Sequence, residues 1–153
     1  LSFLEIDVQG NVNVSKLGKK PYLTAGCGGF VDITAHAKKI VFSGWFEAGA
    51  EVEATSQGLS VVKPGKFPKM VDRVEHVTFS GNRARTQGQE VLYVTERCVI
   101  RLTASGLVAT EIMPGIDPAR DIVAASGGRV TLAATARVMP LTLLGEGPMG
   151  WQP

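Results

Sequence analysis

The chain begins on an alternation. Through LSFLEIDV, and again through GNVNVS, apolar and polar residues take turns, with Gln9-Gly10-Asn11 breaking the pattern. Residues 1–15 therefore predict a β-hairpin. The period changes after Gly29, where Phe30, Ile33 and Ala37 recur at helical spacing and Lys38-Lys39 stand where cations favour a helix C-terminus. A helix over residues 29–38 follows. KIVFSGWF is then a continuous apolar run bounded by turn residues, the pattern of a strand buried on both faces.

Downstream, EVEATSQGLSVVKPG predicts a second hairpin turning at Gln57-Gly58, and EHVTFSG another buried strand. EVLYVTERCVIRLTASGLVATEI, dense in β-branched and aromatic residues, predicts a third hairpin with Ala104-Ser105-Gly106 as its turn. Strand alternation sets Tyr93, Thr95 and Arg97 on one face and Val94, Glu96 and Cys98 on the other. Glu96 and Arg97 read as an edge ion pair or a solvated face before they read as ligand contacts. IDPARDIVAAS starts a second helix, with Asp117 as N-cap and Pro118 in the first helical position, and ends before Gly127-Gly128. The tail GEGPMGWQP predicts irregular chain, with Trp151 at an oligomer interface or free. Strand–helix–strand order within strand-rich surroundings gives the fold class: α/β, a mixed or parallel open sheet with flanking helices and β-hairpins.

Composition narrows the picture by exclusion. With 153 residues, 44% hydrophobic, 20% charged and a net charge of +2, the chain supports one core and a single domain over 1–153, and carries neither a basic nucleic-acid tail nor an acidic disordered segment. No run approaches the roughly 20 apolar residues of a membrane helix, and the N-terminus lacks a signal-peptide pattern. The two cysteines, Cys27 and Cys98, suggest neither a disulfide framework nor a zinc site, so a reducing compartment, the cytoplasm, is expected. The first residue is Leu1, inside a strand-like segment, which reads as a chain cut from something longer.

Candidate chemistry centres on AGCGGFVDIT at residues 25–34. A dinucleotide fingerprint would need glycine at Val31, and no G-K-[ST] occurs. H-E-x-x-H, C-x-x-C and G-x-S-x-G are absent as well. His36 and His76 read as a partly exposed helix histidine and a pre-strand histidine. Cys27, beside a helix start, is either an activated thiol or a small buried one. The Gly-Gly pair exposes backbone N–H donors of the kind that bind phosphate, carboxylate or an oxyanion, and it equally suits a tight structural turn.

Six blocks resolve that choice by resemblance. GNVNVSKLG, AGCGGFVDIT, AKKIVFSGWF, VEHVTFSG, GQEVLYVTERCVIRLT and TEIMPGIDPARDI stand in the order and at the intervals of the C-terminal part of family I CoA-transferases, and the acetate/propionate and 3-oxoacid branch is the most similar. The resemblance spans residues 1 to about 125. It implies ping-pong transfer of coenzyme A from an acyl-CoA to a short-chain carboxylate through a glutamyl-CoA thioester. It further implies backbone oxyanion donors at Gly29 and Gly28, CoA binding at Gly26, no tightly bound cofactor or metal, and coenzyme A as substrate.

The implied partners are acyl-CoA and carboxylate substrates, the remaining N-terminal part of the same enzyme, and further copies of the protein in a homo-oligomer. The family's nucleophilic glutamate sits in an E-x-G turn upstream of the glycine loop. Glu47-Ala48-Gly49 spells that motif downstream and reads as a surface turn, while Glu5 is followed by Ile6-Asp7. A non-catalytic CoA-binding or interaction module that retains the fold stays open as the alternative.

Overall fold

The computed structural model describes residues 1–18 and 23–145. The predicted irregular tail from Glu146 onward, Trp151 included, lies outside the described residues. In chain order the strands are β1 (Glu5–Asp7), β2 (Val12–Asn13), β3 (Lys16–Leu17) and β4 (Leu23–Thr24), followed by helix α1 (Phe30–His36). Next come β5 (Lys39–Ser43), β6 (Glu47–Ala48), β7 (Glu51–Thr55), β8 (Gly58–Lys63), β9 (Phe67–Pro68) and β10 (Met70–Val71), then helix α2 (Gly81–Thr86). The last third holds β11 (Glu90–Val94), β12 (Cys98–Thr103), β13 (Gly106–Ile112), a π-helix (Pro118–Ala124), β14 (Val130–Val138) and a 3₁₀ turn (Leu141–Leu144).

The central sheet is mixed and open, ordered β14-β13-β12-β11-β5. Its antiparallel meander β11-β12-β13 follows from the dense β-branched run, and both outer strands join in parallel through crossovers, as α/β folds require. A smaller sheet, β10-β1-β2, contains the predicted first hairpin, with Ile6 opposite Val12. The second predicted hairpin is β7-β8, Thr55 facing Gly58.

Aromatic side chains join the layers. The Phe42 ring stands 5.7 Å from Phe30, 5.1 Å from Phe79 and 5.5 Å from Tyr93, centroid to centroid. Phe42 and Tyr93 come from adjacent strands, Phe30 from α1 and Phe79 from the chain beside β2, so one cluster fixes helix, sheet and hairpin together. The Tyr93 hydroxyl donates to Gly10 O at 2.6 Å, which ties the hairpin turn to the sheet, and burial pushes its ionisation well above the ordinary tyrosine value. Gly81 opens α2 against that same turn. A Cβ there would stand 2.2 Å from Gln9 O, so only glycine permits the approach.

Four expectations are corrected. KIVFSGWF is not buried on both faces: Ile40 and Phe42 point into the core, whereas Val41 is 42% exposed, because it lies on the sheet face that it shares with half-buried Leu92 and exposed Arg101, which no layer fully covers. EHVTFSG forms no strand. β2 spans two residues and pairs with β1, and on its other side only Val12 bonds the segment, exchanging backbone bonds with Phe79 and accepting from Thr78 N, before Ser80 caps α2 through Arg83 N.

On α1 the inward face is Phe30 and Thr34, four residues apart, which leaves Ile33 exposed. Finally, alternation does not run through residues 95–98. Thr95 Oγ1 accepts from Arg97 N at 3.2 Å and from Cys98 N at 3.1 Å, forming a turn that buries both residues. The predicted second helix is present with the cap expected, Asp117 accepting from Ala119 N and Arg120 N. Its bonds, however, include the wider π spacing, Ala125 N to Arg120 O and Gly128 N to Val123 O.

Candidate functional site

The glycine loop hangs between two anchors. On its N-terminal side β4 pairs with β3, and Ala25 N donates to Ser15 O at 2.9 Å. On the other side Phe30, the residue directly after Gly29, is buried against Phe42. Between them Phe30 N donates to Cys27 O at 3.0 Å, closing a turn over Gly28 and Gly29. Gly28 has φ +50°, a conformation that side-chain-bearing residues rarely adopt.

Gly26, Gly28 and Gly29 are exposed, and a Cβ at Gly26 or Gly28 would meet nothing within 4 Å. The N–H groups of Gly28 and Gly29 donate to no group among the described residues. Unhindered backbone donors on a turn held at both ends can receive an oxyanion without reorganising. The loop's distal support is equally firm: Gln89 Nε2 donates to Thr34 O at 2.9 Å and Ala37 O at 2.7 Å, closing the C-terminal end of α1.

Cys27 is half-buried and packs against the core. His36 is exposed at the end of α1. His76 is exposed too, yet its Nδ1 lies 2.6 Å from Ser15 Oγ, and Ser15 Oγ lies 3.2 Å from Thr78 Oγ1. That polar chain braces the segment from which the loop hangs. Sequence reading missed it because 61 residues separate Ser15 from His76.

The two glutamates weighed as nucleophile candidates are both committed elsewhere. Glu5 Oε2 accepts from Asn13 Nδ2 at 2.8 Å and Glu75 N at 3.1 Å. Glu47 is not a surface turn residue: its side chain is 12% exposed and pairs with Arg97, whose own side chain is 1% exposed. Arg97 also donates from Nε to Glu96 Oε1 at 3.1 Å and from Nη1 to Asp121 O at 2.9 Å, and its guanidinium lies over the Phe46 ring. Of the two readings of Glu96 and Arg97, the ion pair is present and the solvated face is not, since the Arg97 side chain is 1% exposed. Beside it Asp121 accepts from Arg120 and from Asp117 N, and the Arg120 hydrogen bond, above all, holds its carboxyl below the usual carboxylate range. Among the described residues no group of three or more His, Cys, Asp or Glu gathers in a way that could hold a metal ion, and no helix is long and apolar enough to cross a membrane.

No family model matches the sequence. Individual relatives do. The chain is 42% identical over 149 residues to the caffeate CoA-transferase of Acetobacterium woodii, covering 95% of this chain and 28% of that protein. It is 38% identical over 152 residues to the acetate CoA-transferase YdiF of Escherichia coli K12, covering 99% and 28%. The chain thus spans little more than a quarter of the curated relatives it matches. Among solved structures, the apoenzyme of the acyl-CoA transferase YdiF from E. coli O157:H7 superposes with a TM-score of 0.90 at 35% identity, over 99% of this chain and 29% of that one. The same enzyme solved as a thioester complex with CoA gives 0.89 over the same shares.

Proposed function

The chain is homologous to CoA-transferases along nearly its whole length, and on that premise we propose that it supplies the oxyanion-binding side of a CoA-transferase active site. The observation that carries this reading is the open turn at Gly28-Gly29, anchored on both flanks and carrying N–H donors that no described group uses.

In the proposed reaction a glutamate carboxylate attacks the thioester carbonyl of an acyl-CoA. The carbonyl oxygen becomes an oxyanion, which the backbone N–H groups of Gly29 and Gly28 receive. Collapse of this intermediate expels CoA thiolate and leaves an acyl-glutamyl anhydride. The thiolate then attacks the glutamyl carbonyl, releasing the first carboxylate and forming glutamyl-CoA. A second carboxylate reverses the sequence and leaves as the new acyl-CoA. No proton need be transferred in any step, which accords with a site built from backbone donors rather than a general base.

Glu47 and Glu5 are engaged with Arg97, Asn13 and Glu75. The nucleophile is therefore assigned to the E-x-G turn that the resemblance places upstream, in the remaining N-terminal part of the same enzyme. The proposal extends to a short-chain carboxylate as acceptor, Gly26 as a CoA contact, assembly as a homo-oligomer, coenzyme A as substrate rather than resident cofactor, and a cytoplasmic location.

The test is intact mass of the natural full-length gene product after incubation with acetyl-CoA and borohydride, beside this 153-residue chain treated alike. A CoA-dependent modification on a glutamate of the full product, absent from the short chain, is the expected result. Two folded but unreactive proteins would replace the enzyme with a binding module.

A further inference from the structure

The two flanks of the glycine loop are held by different means. On the C-terminal side Phe30 sits in the aromatic core. On the N-terminal side the loop continues from β4, and β3 and β4 form a two-stranded sheet that pairs with no other strand among the described residues. Ser15 ties this hairpin to the body: its backbone O receives Ala25 N at 2.9 Å, directly before Gly26, and its buried side chain reaches the segment 75–78. That segment grips the hairpin and its approach at three points. Glu75 Oε2 accepts from Gly18 N at 2.9 Å, His76 Nδ1 lies 2.6 Å from Ser15 Oγ, and Thr78 Oγ1 lies 3.2 Å from both Ser15 Oγ and Val14 N. Thr78 and Phe79 in turn donate their backbone N–H groups to Val12 O at 2.8 and 3.0 Å, so the gripping segment is itself fixed to β2. The His76 ring is exposed, and its bond to Ser15 is the one its side chain makes among the described residues.

We propose that His76 is a positioning residue for acyl transfer, setting through Ser15 where the loop places the N–H groups of Gly28 and Gly29. The inference rests on the CoA-transferase reading and deepens it, by naming a residue outside the loop on which the oxyanion donors depend. Such donors work only where they stand at the position at which charge develops, and a displacement of about 1 Å can cost up to about 10²-fold in rate. The bond from Phe30 N to Cys27 O gives the turn its shape, and a Cβ at Gly26 or Gly28 would touch nothing, so the placement of the turn on the body comes from its two ends. The Phe30 end is fixed by burial. The Ser15 end depends on a polar chain that the His76 side chain completes. Without His76 the Ser15 hydroxyl retains Thr78 Oγ1 as its described partner, and the hairpin keeps its backbone pairing while losing one of the three points that set its orientation.

The measurement uses the natural full-length protein. Steady-state transfer from acetyl-CoA to a short-chain carboxylate is set beside thermal unfolding for the wild type, His76→Ala, His76→Asn, Ser15→Ala and the double variant His76→Ala with Ser15→Ala. His76→Ala is expected to lower kcat and kcat/KM alike, about tenfold, with an unchanged melting temperature, because donors aimed at the transition state add nothing to ground-state binding. His76→Asn, whose side-chain amide stands where Nδ1 does, should recover most of the loss. Ser15→Ala breaks the same link, so the double variant should be no slower than the slower single one. If His76→Ala transfers CoA at the wild-type rate, or if rate and melting temperature fall together without rescue by His76→Asn, the positioning role is overturned and the CoA-transferase reading stands. If the wild type transfers no CoA, both fall together.

Discussion

Arg97 and Glu47 meet inside the protein, Nη2 to Oε2 at 2.5 Å, across 50 residues of sequence. The contact joins the turn between β11 and β12 to β6, and Arg97 extends it to the π-helix through Asp121 O. The side chain thus clamps three segments to one end of the central sheet. Arg97→Ala would strand the Glu47 carboxylate and is expected to lower unfolding stability by about 3 to 5 kcal/mol. Glu47→Gln, which keeps an acceptor for Arg97, should cost less. Urea denaturation monitored by far-UV circular dichroism compares the two, and an unchanged midpoint for Arg97→Ala would show that the clamp contributes little.

The glycine loop separates activity from stability. A Cβ at Gly29 would meet only Ile33 Cδ1, at 3.8 Å, so Gly29→Val should retain the fold while crowding the oxyanion position. Val keeps the backbone N–H, so the expected slowing is steric and is bounded by the roughly 10²–10³-fold that loss of one oxyanion donor costs. Gly28→Ala differs, since its φ of +50° adds backbone strain to any catalytic loss. Single-turnover transfer from acetyl-CoA by the full-length protein, read beside thermal unfolding, distinguishes the two variants.

The thiols should differ sharply in reactivity. Burial, above all, pushes the Cys98 thiol up to about 12, and its Sγ sits 3.8 Å from Thr95 Oγ1. Almost none of it is thiolate at neutral pH. Cys27 is half-buried in the glycine loop. Titration of the native protein with a thiol reagent such as DTNB at pH 8 should therefore label one cysteine per chain, Cys27, with Cys98 reacting only after unfolding.

Acid sensitivity follows from Asp121. Its folded carboxyl titrates below the unfolded value, held down first by the Arg120 hydrogen bond. A depressed acid stabilises the folded state while it is ionised. Its contribution is complete above the unfolded carboxylate pKa of about 3.9 and fades as pH falls through the lower folded value. The stability gap between wild type and Asp121→Asn should be constant above about pH 5 and shrink below pH 4. Denaturation midpoints measured from pH 6 to pH 2 would expose a pH-independent gap if the carboxylate's charge plays no part.

Several elements were legible because their signals are local. The first two hairpins announce themselves through alternation and turn residues, the helix after Asp117 through its cap and Pro118 though not through its π spacing, and the loop through three glycines before Phe30. The failures share one cause. EHVTFSG has strand composition, yet whether it pairs depends on β2, which offers it a single residue, Val12. KIVFSGWF has the composition of a doubly buried strand, yet Val41's exposure depends on which sheet face it shares with Leu92 and Arg101, a face left open across interior strands as well.

The candidate site divides the same way. Chain chemistry alone determined that residues 26–29 would be a glycine turn entering a helix, because φ freedom and helix initiation are properties of neighbouring residues. It determined the order of motif blocks as well, and with that the resemblance to CoA-transferases. Only the tertiary structure decided that Glu47 is sequestered by Arg97 and that Ser15 reaches His76. Each of these depends on residues tens of positions apart being brought together by core packing. Contacts at such separations are set by the burial of Phe42, Phe79 and Tyr93, and the polar side chains that they carry into contact show no trace of it in the local pattern.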